Sequence, residues 1–460
     1  MTIRLLLTLL LTSGIGSIVR AAPSTVDNVP NRFDLEQALA FALDHNFAIR
    51  RAREGLREQE GIVTTVSAAS LPNVSATGSF QKSDLQSFQA GTLNTGQPVI
   101  IPSGRFWRMN FTVRQMIYAG GGIRSAIDTA KHTREAAVFA LQETINSALL
   151  DVRTRFYRVL LAREEIKVQE QNLELLQHQL RDTSNRFETG SVSKFEQLRA
   201  EVALANAQPP LIKARNDYRL ATHELRQAIG LVPARDESSS DQVPEFVGML
   251  TVEASNHQLS TALATARTGR PELQRLAKLV DAAEAGELTA RSGYYPSLAL
   301  TAGGELRKGT TESFSDSRRG LRAGAEGQWT GNPRTTAGKI RQAESLIEQA
   351  RLALGAAELT VQIEVRRALS SLEEATELVD ATQQSVKQAE EAIRIALTRY
   401  QAGMTPQLDL LQSQVALTTA RTNRLRAYYS HNVALARLRT AMGLSEVDYN
   451  EVSGPATAQP

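Results

Sequence analysis

The 460-residue chain contains no cysteine. This removes disulfides, thiolate nucleophiles and cysteine metal ligands, and it leaves no cysteine to carry a lipid anchor. Aromatic residues make up only 5% of the chain. Ala, Leu, Gln, Glu and Arg stand in their place, a composition of long helices, because Ala-rich seams bury too little area to fill the core of a globular enzyme. An excess of charge is missing as well: 52 basic and 49 acidic residues leave a formal +3. Both signs are interleaved, so no basic surface for nucleic acid is expected. The six histidines, at 45, 132, 178, 223, 257 and 431, form no ligand pair at helical spacing,. With no GxSxG elbow and no nucleotide loop, the chain reads as a non-enzyme without catalytic residues, cofactor or metal.

Long hydrophobic runs are lacking too. The one apolar stretch of note is in MTIRLLLTLLLTSGIGSIVRAAPS, with Arg4 before a run from Leu5 to Val19 and small residues at Ala21 and Ala22. That order is a secretory signal peptide, and the run falls short of the about twenty apolar residues that a spanning helix needs. Cleavage is expected after Ala21, with Ala22 as the next site although Pro23 follows it, giving residues 1–21 as the signal and an exported mature chain.

The chain does have a pattern written twice. RFETGSVSKFEQLRAEVALANAQ, from Arg186, and RYQAGMTPQLDLLQSQVALTTAR, from Arg399, superimpose at an offset of 213, with Gly190 on Gly403, Leu198 on Leu411 and Val202 on Val415. Upstream, Leu173, Leu176, Leu180 and Phe187 fall on Val386, Ala389, Ile393 and Tyr400 at the same offset. Both halves are expected to bury the same helical face, and a seam repeating near 3.5 residues implies left-handed supercoiling. No proline or turn signal interrupts Arg124 to Arg186, which predicts a helix about 95 Å long. In each half a sharp turn, at about 188–194 and 401–407, reverses the chain.

A second correspondence places Pro72 on Pro296, 224 residues apart. Each proline marks the end of a helix and the start of extended chain. Val74, Ala76, Gly78 and Phe80 then alternate with Asn73, Ser75, Thr77, Ser79 and Gln81, while Met109, Phe111, Val113 and Ile117 oppose Asn110, Thr112 and Arg114. In the second half Leu298, Leu300, Ala302 and Leu306 oppose Ser297, Thr301, Glu305 and Arg307, and Leu321, Ala323 and Ala325 oppose Arg322, Glu326 and Gln328. Four strands, at about 73–82, 106–118, 297–307 and 320–330, thus carry one apolar and one polar face,. They have the length to cross a tilted path through hydrocarbon, and Trp107, Trp329, Phe106, Tyr118, Tyr294 and Tyr295 stand at strand ends where an interfacial girdle would be,.

A spanning sheet must close, because each unpaired edge group in lipid costs several kcal/mol. Four strands cannot do so alone. Several copies are required, and three or more leave a wet lumen where two would fill it with side chains. The glycines of YAGGGIR, between strand and helix, re-aim the chain; no Lys-Ser/Thr follows as a phosphate loop would require, and the second half has Asn332 and Pro333 there,. The organisation expected is a first repeat at 22–232, a linker at 233–256, a second repeat at 257–445 and a tail at 446–460.

In RYQAGMTPQLDLLQSQ, in YAGGG, and in the duplicated order helix, strand, strand, long helix, turn, helix over nearly the whole mature chain, the sequence resembles the TolC-like outer-membrane efflux proteins. The resemblance implies a mixed, mainly α fold: a homotrimer with a twelve-stranded barrel in outer-membrane lipid, continuous with a periplasmic helical tunnel. It implies a passive exit duct, opened at its tip by a periplasmic adaptor and an inner-membrane pump. By the same resemblance Tyr400 matches a gating tyrosine and Asp409 the first acid of a lumen-facing ring, while Gly190, Ser191, Gly403 and Met404 would meet the adaptor. Thr405 and Gln412 depart from the pattern, which has a basic residue and a second acid there. Glu196, in the first-half place of Asp409, would restore acidity to the constriction, and Arg199, opposite Gln412, would oppose it. An adaptor or coiled-coil scaffold without a channel shares the hairpins, but would not need the duplicated amphipathic strands.

Overall fold

The computed structural model describes residues 30–83, 104–231, 244–252, 257–308, 318–329 and 331–444. The expected signal peptide, both strand-connecting loops, part of the expected linker and the C-terminal tail lie outside the described residues. The first half runs β1 (Arg32–Phe33), α1 (Leu35–His45), α2 (Phe47–Ser67), β2 (Asn73–Ser83), β3 (Gly104–Ala119), α3 (Gly122–Glu188) and α4 (Lys194–Ile229). The second runs β4 (Glu245–Phe246), α5 (Leu259–Gly269), α6 (Pro271–Arg291), β5 (Ser297–Lys308), β6 (Arg318–Gln328), α7 (Pro333–Gln401) and α8 (Gln407–Ala441). The repetition is nearly residue for residue: α1 and α5 have 11 residues each, α2 and α6 21, and α3 and α7 67 and 69.

Local chemistry sets the boundaries. Asp34 and Gln37 form a reciprocal capping box on α1, and Asn46 caps α2 through the Ala48 and Ile49 amides,. One turn of 3₁₀ helix, at Ala68–Ser70 and again at Ser292–Tyr294, precedes Pro72 and Pro296 before each strand. At the exit of β3, Gly120 and Gly121 have φ of 61° and 82°. A Cβ on Gly120 would lie 2.7 Å from that of Tyr295 and 2.8 Å from the Ser292 carbonyl oxygen. The glycine run is therefore a close crossing of the two halves, with no ligand cradle required.

The sheet order is β2-β3-β5-β6, antiparallel throughout, so β3 and β5 join the halves and β2 and β6 are left as edges. Its register puts Val74 against Val113, Ala76 against Phe111, Phe111 against Gly304 and Leu300 against Ala325, one continuous apolar face. Phe80, Met109, Phe111, Leu300 and Leu321 are exposed on it, Leu321 at 94%. A bulge between Met116 and Tyr118 brings Tyr118 opposite Leu298,. The opposite face carries ion pairs: Glu305 lies 3.0 Å from Arg108 and 3.7 Å from Arg322, and Arg114 reaches across β5 to Glu326 at 3.4 Å.

The helices lie side by side in one layer. Near the sheet α2 packs on α3, α3 on α6 and α6 on α7; toward the turns α4 packs on α3, α3 on α8 and α8 on α7. Two apolar clusters anchor it, one of Phe33, Val152, Phe156, Leu160, Leu225 and Phe246, the other of Ala262, Val361, Val365, Leu372 and Leu438. Within the expected linker 233–256, β4 pairs in parallel with β1 and buries Phe246 against Phe156, an ordered clip of two residues, too short to show a periodicity.

The expectation that both halves bury one face holds only in part. In α7 Val386, Ala389 and Tyr400 are buried, but in α3 Phe187 stays exposed while Gln179 and Thr183 are buried. The cause is position in the layer: α3 has α4 on one side and α8 on the other, whereas α7 has only α8 at this level. The outer helices accordingly leave apolar residues bare, Phe195, Val202 and Ile212 on α4, and Leu346, Leu352 and Leu359 on α7.

Candidate gate and membrane faces

The two turns are built alike. Gly190 and Gly403 have φ of 72° and 71°. Each is followed by a 6→1 bond, from the Ser191 amide to the Arg186 carbonyl at 2.8 Å and from the Met404 amide to the Arg399 carbonyl at 2.9 Å,. Nothing would meet a Cβ at either glycine, so backbone conformation alone calls for glycine here,. The returning helices start differently: Ser193 caps α4 with its side chain, while Pro406, with φ of −68°, precedes α8 without a side-chain cap. Gly190, Ser191, Gly403 and Met404 are all exposed.

Tyr400 ends α7 buried, at 7% exposure, against Ala396 and Leu410. The guanidinium of Arg186, at the end of α3, lies 5.1 Å from its ring centre, a cation–π contact between the hairpins. The Tyr400 hydroxyl is buried without a hydrogen-bond partner, as is that of Thr405. Asp409 and Gln412 are exposed on α8, and Glu196 and Arg199 half-buried on α4. Glu196 and Asp409 both lie in the first turn of their helices, where a carboxylate is favoured by the helix dipole. Arg199 stacks over Phe195 at 4.5 Å. The structure thus brings Tyr400 to the junction of the hairpins and keeps Asp409 and Glu196 on separate ones.

Sequence reasoning missed the seam between α3 and α8. There Gln407, fully buried, donates to the Thr183 hydroxyl at 3.4 Å, and Thr183 donates to the Gln179 carbonyl at 2.8 Å. One heptad on, Gln414 donates to the Asn172 side-chain oxygen at 3.2 Å, which also accepts from Thr418. Gln179 Nε2, Gln407 Oε1 and Gln414 Oε1 are buried without partners. Amides at heptad spacing, with Leu410 and Leu417 each three residues further along, were the available signal.

Of the expected girdle, Tyr118 and Trp329 stand exposed at strand ends, Tyr294 closes its 3₁₀ turn and Tyr295 follows. Trp107 lies inside β3, opposite Phe80 and Lys308. Among the described residues no helix is long and apolar enough to cross a membrane, and no group of acidic or histidine side chains could hold a metal ion.

The family model described as outer membrane efflux protein matches residues 38–231 and 262–444. Among curated relatives, the outer membrane efflux protein BepC of Brucella suis is 24% identical, with 90% of this chain and 86% of the relative covered. The pyoverdine export outer membrane protein OpmQ of Pseudomonas aeruginosa is 26% identical over 89% and 83%. Among solved structures, the CmeC outer membrane channel of Campylobacter jejuni superimposes with a TM-score of 0.76 at 17% identity, covering 91% of this chain and 89% of that one. The outer membrane protein VceC of Vibrio cholerae gives 0.74 at 16%, covering 89% and 96%. The chain belongs to the outer membrane efflux protein family. Members of this family form trimers and work as outer-membrane channels of tripartite exporters.

Proposed function

We propose that this outer membrane efflux protein is a passive duct, three copies of which close a twelve-stranded barrel and a periplasmic tunnel shut at its tip until an adaptor and an inner-membrane pump dock. The observation that carries it is the sheet with two free edges, β2 and β6, one apolar face and one ion-paired face. In lipid such edges must be paired, and a second and third copy pair them while turning Arg108, Glu305 and Arg322 toward water. The bare apolar residues on α4, and Leu378, Ile395 and Leu397 on the turn-side half of α7, are the matching edges of the helical layer. Between copies, α4 of one meets α7 of the next.

The tip closes when Arg186 sits over Tyr400 and Gln407 holds Thr183. The exposed turns at Gly190, Ser191, Gly403 and Met404 are the surface an adaptor reaches first. Asp409, exposed beside the turn, is the acid assigned to the constriction, with Glu196 beside Arg199 on the other hairpin. A ring of three Asp409 carboxylates in a narrow mouth favours cations.

Mass measurement of the detergent-solubilised protein tests the assembly: a trimer recovered from outer membranes is expected, and a monomer in the soluble periplasmic fraction would overturn it. In planar bilayers Asp409→Ala is expected to lower cation selectivity, and unchanged selectivity would place the filter elsewhere.

A further inference from the structure

The lipid-facing side of the sheet ends differently at its two rims. Following the register outward, away from the helices, Phe80 gives way to Lys82 on β2. Lys82 pairs with Arg105 on β3; on β5 Lys308 stands opposite Trp107; on β6 Arg319 stands opposite Leu306. Three of the four strands, β2, β5 and β6, therefore end the apolar face on a basic residue at the outer rim, Lys82, Lys308 and Arg319. Lys82 and Arg319 are exposed. No acidic residue occupies this face in the described strands, since Glu305 and Glu326 lie on the other one, paired with Arg108, Arg322 and Arg114.

At the inner rim the same face carries Tyr118 and Trp329 and no Lys or Arg. Cations that merely snorkel from hydrocarbon to water would serve both rims equally. A basic row at one rim only points to a difference between the leaflets, with the denser negative charge outside.

We infer that Lys82, Lys308 and Arg319 form a belt that binds the phosphate groups of glycolipid headgroups in the outer leaflet. An inference of this kind rests on the barrel reading above, which decides which face meets lipid. Lysine supplies a point charge and arginine a two-pronged donor, both suited to phosphate oxygens. Trp107, beside Lys308, places an aromatic ring at headgroup depth,.

The test titrates the detergent-purified full-length protein with diphosphorylated lipid A and with the same lipid dephosphorylated, following tryptophan fluorescence and lipid retained by native mass spectrometry. Tight retention of the phosphorylated lipid alone is expected. Lys82→Gln, Lys308→Gln and Arg319→Gln should each weaken it about fivefold, and Arg307→Gln, on the lumen face, should leave it unchanged. Equal retention of both lipids by the wild-type protein would overturn the belt without any variant having to fold. So would an Arg307→Gln loss as large as that of Arg319→Gln, or displacement of the lipid by inorganic phosphate at equal concentration. Bilayer conductance of the variants separates the two readings: wild-type conductance with lost lipid retention supports the belt, and conductance without any lipid preference removes the belt while leaving the channel.

Discussion

The seam inside the second hairpin and the seam between the two hairpins are made of different side chains. Inside, α7 and α8 join through Val386, Ala389, Leu417 and Ala420, then Ala396, Tyr400 and Leu410. Between them, α3 and α8 join through Asn172, Gln179 and Thr183 against Gln407, Gln414 and Thr418, with three amide atoms left without partners. An apolar seam gains from every area removed from water and has one best packing. A buried amide ladder with unmet groups gains little, because each orphan costs roughly 1–3 kcal/mol. On the proposed reading, the difference makes the hairpin the rigid unit and the amide seam the place where the tip would open.

The largest expected effect is inside the hairpin. Leu417→Ala removes a buried side chain beside Val386 and should cost about 2–5 kcal/mol, read as a lowered denaturant midpoint. Gln414→Leu, in the other seam, should change stability by no more than about 1 kcal/mol, since it trades one hydrogen-bonded amide for the loss of an orphaned acceptor,. Equal losses in the two would erase the distinction. Gly403→Ala forces a side chain into positive φ and should cost about 1–2 kcal/mol in the turn,, whereas Gly355→Ala inside α7, where nothing would meet the added Cβ, should stabilise by about 0.5–1 kcal/mol,.

The smallest effect is in pH. The hydrogen bond from Lys278 holds Glu135 below its usual pKa, with the nearby His132 and despite some desolvation, and Glu135 in turn raises Lys278. A depressed carboxylate stabilises the fold above its unfolded value of 4.5 and loses that contribution as pH falls through the lower folded value,. A raised lysine stabilises below 10.5 and loses its contribution as pH rises through the higher folded value. The α3–α6 junction should therefore be flat in stability across neutral pH, with a small loss in acid that Glu135→Gln abolishes, checked by thermal unfolding against pH.

The duplicated plan was legible in the sequence because two periodicities, near 3.5 and 2, are properties of the chain itself. Pro72, Pro296, Gly190 and Gly403 stand where a helix or strand ends. The two faces of each strand were legible for the same reason, whereas their cross-strand partners, Gly304 for Phe111 and Ala325 for Leu300, depend on the register of the sheet. The candidate gate was less so. Arg186 looked like any basic residue ending a helix, and its placement over Tyr400 follows from the order of four helices in the layer. Repeat symmetry pairs Tyr400 with Phe187, yet Phe187 is exposed and stacks with Lys194 instead, because α3 has two neighbours and α7 one. Sequence repetition records common ancestry of the halves and cannot record which side of each helix the other half covers.

Single-channel conductance in planar bilayers, comparing the wild-type protein with the Arg186→Ala, Gln407→Ala double variant, tests the central claim most directly. A gate held by these contacts gives a small, mostly closed conductance for the wild type and a severalfold larger, persistently open one for the variant, which loses a cation–π contact worth about 0.5–2 kcal/mol,. Identical conductance from both would contradict a gate held between the two hairpins, and no conductance from either would contradict the duct itself.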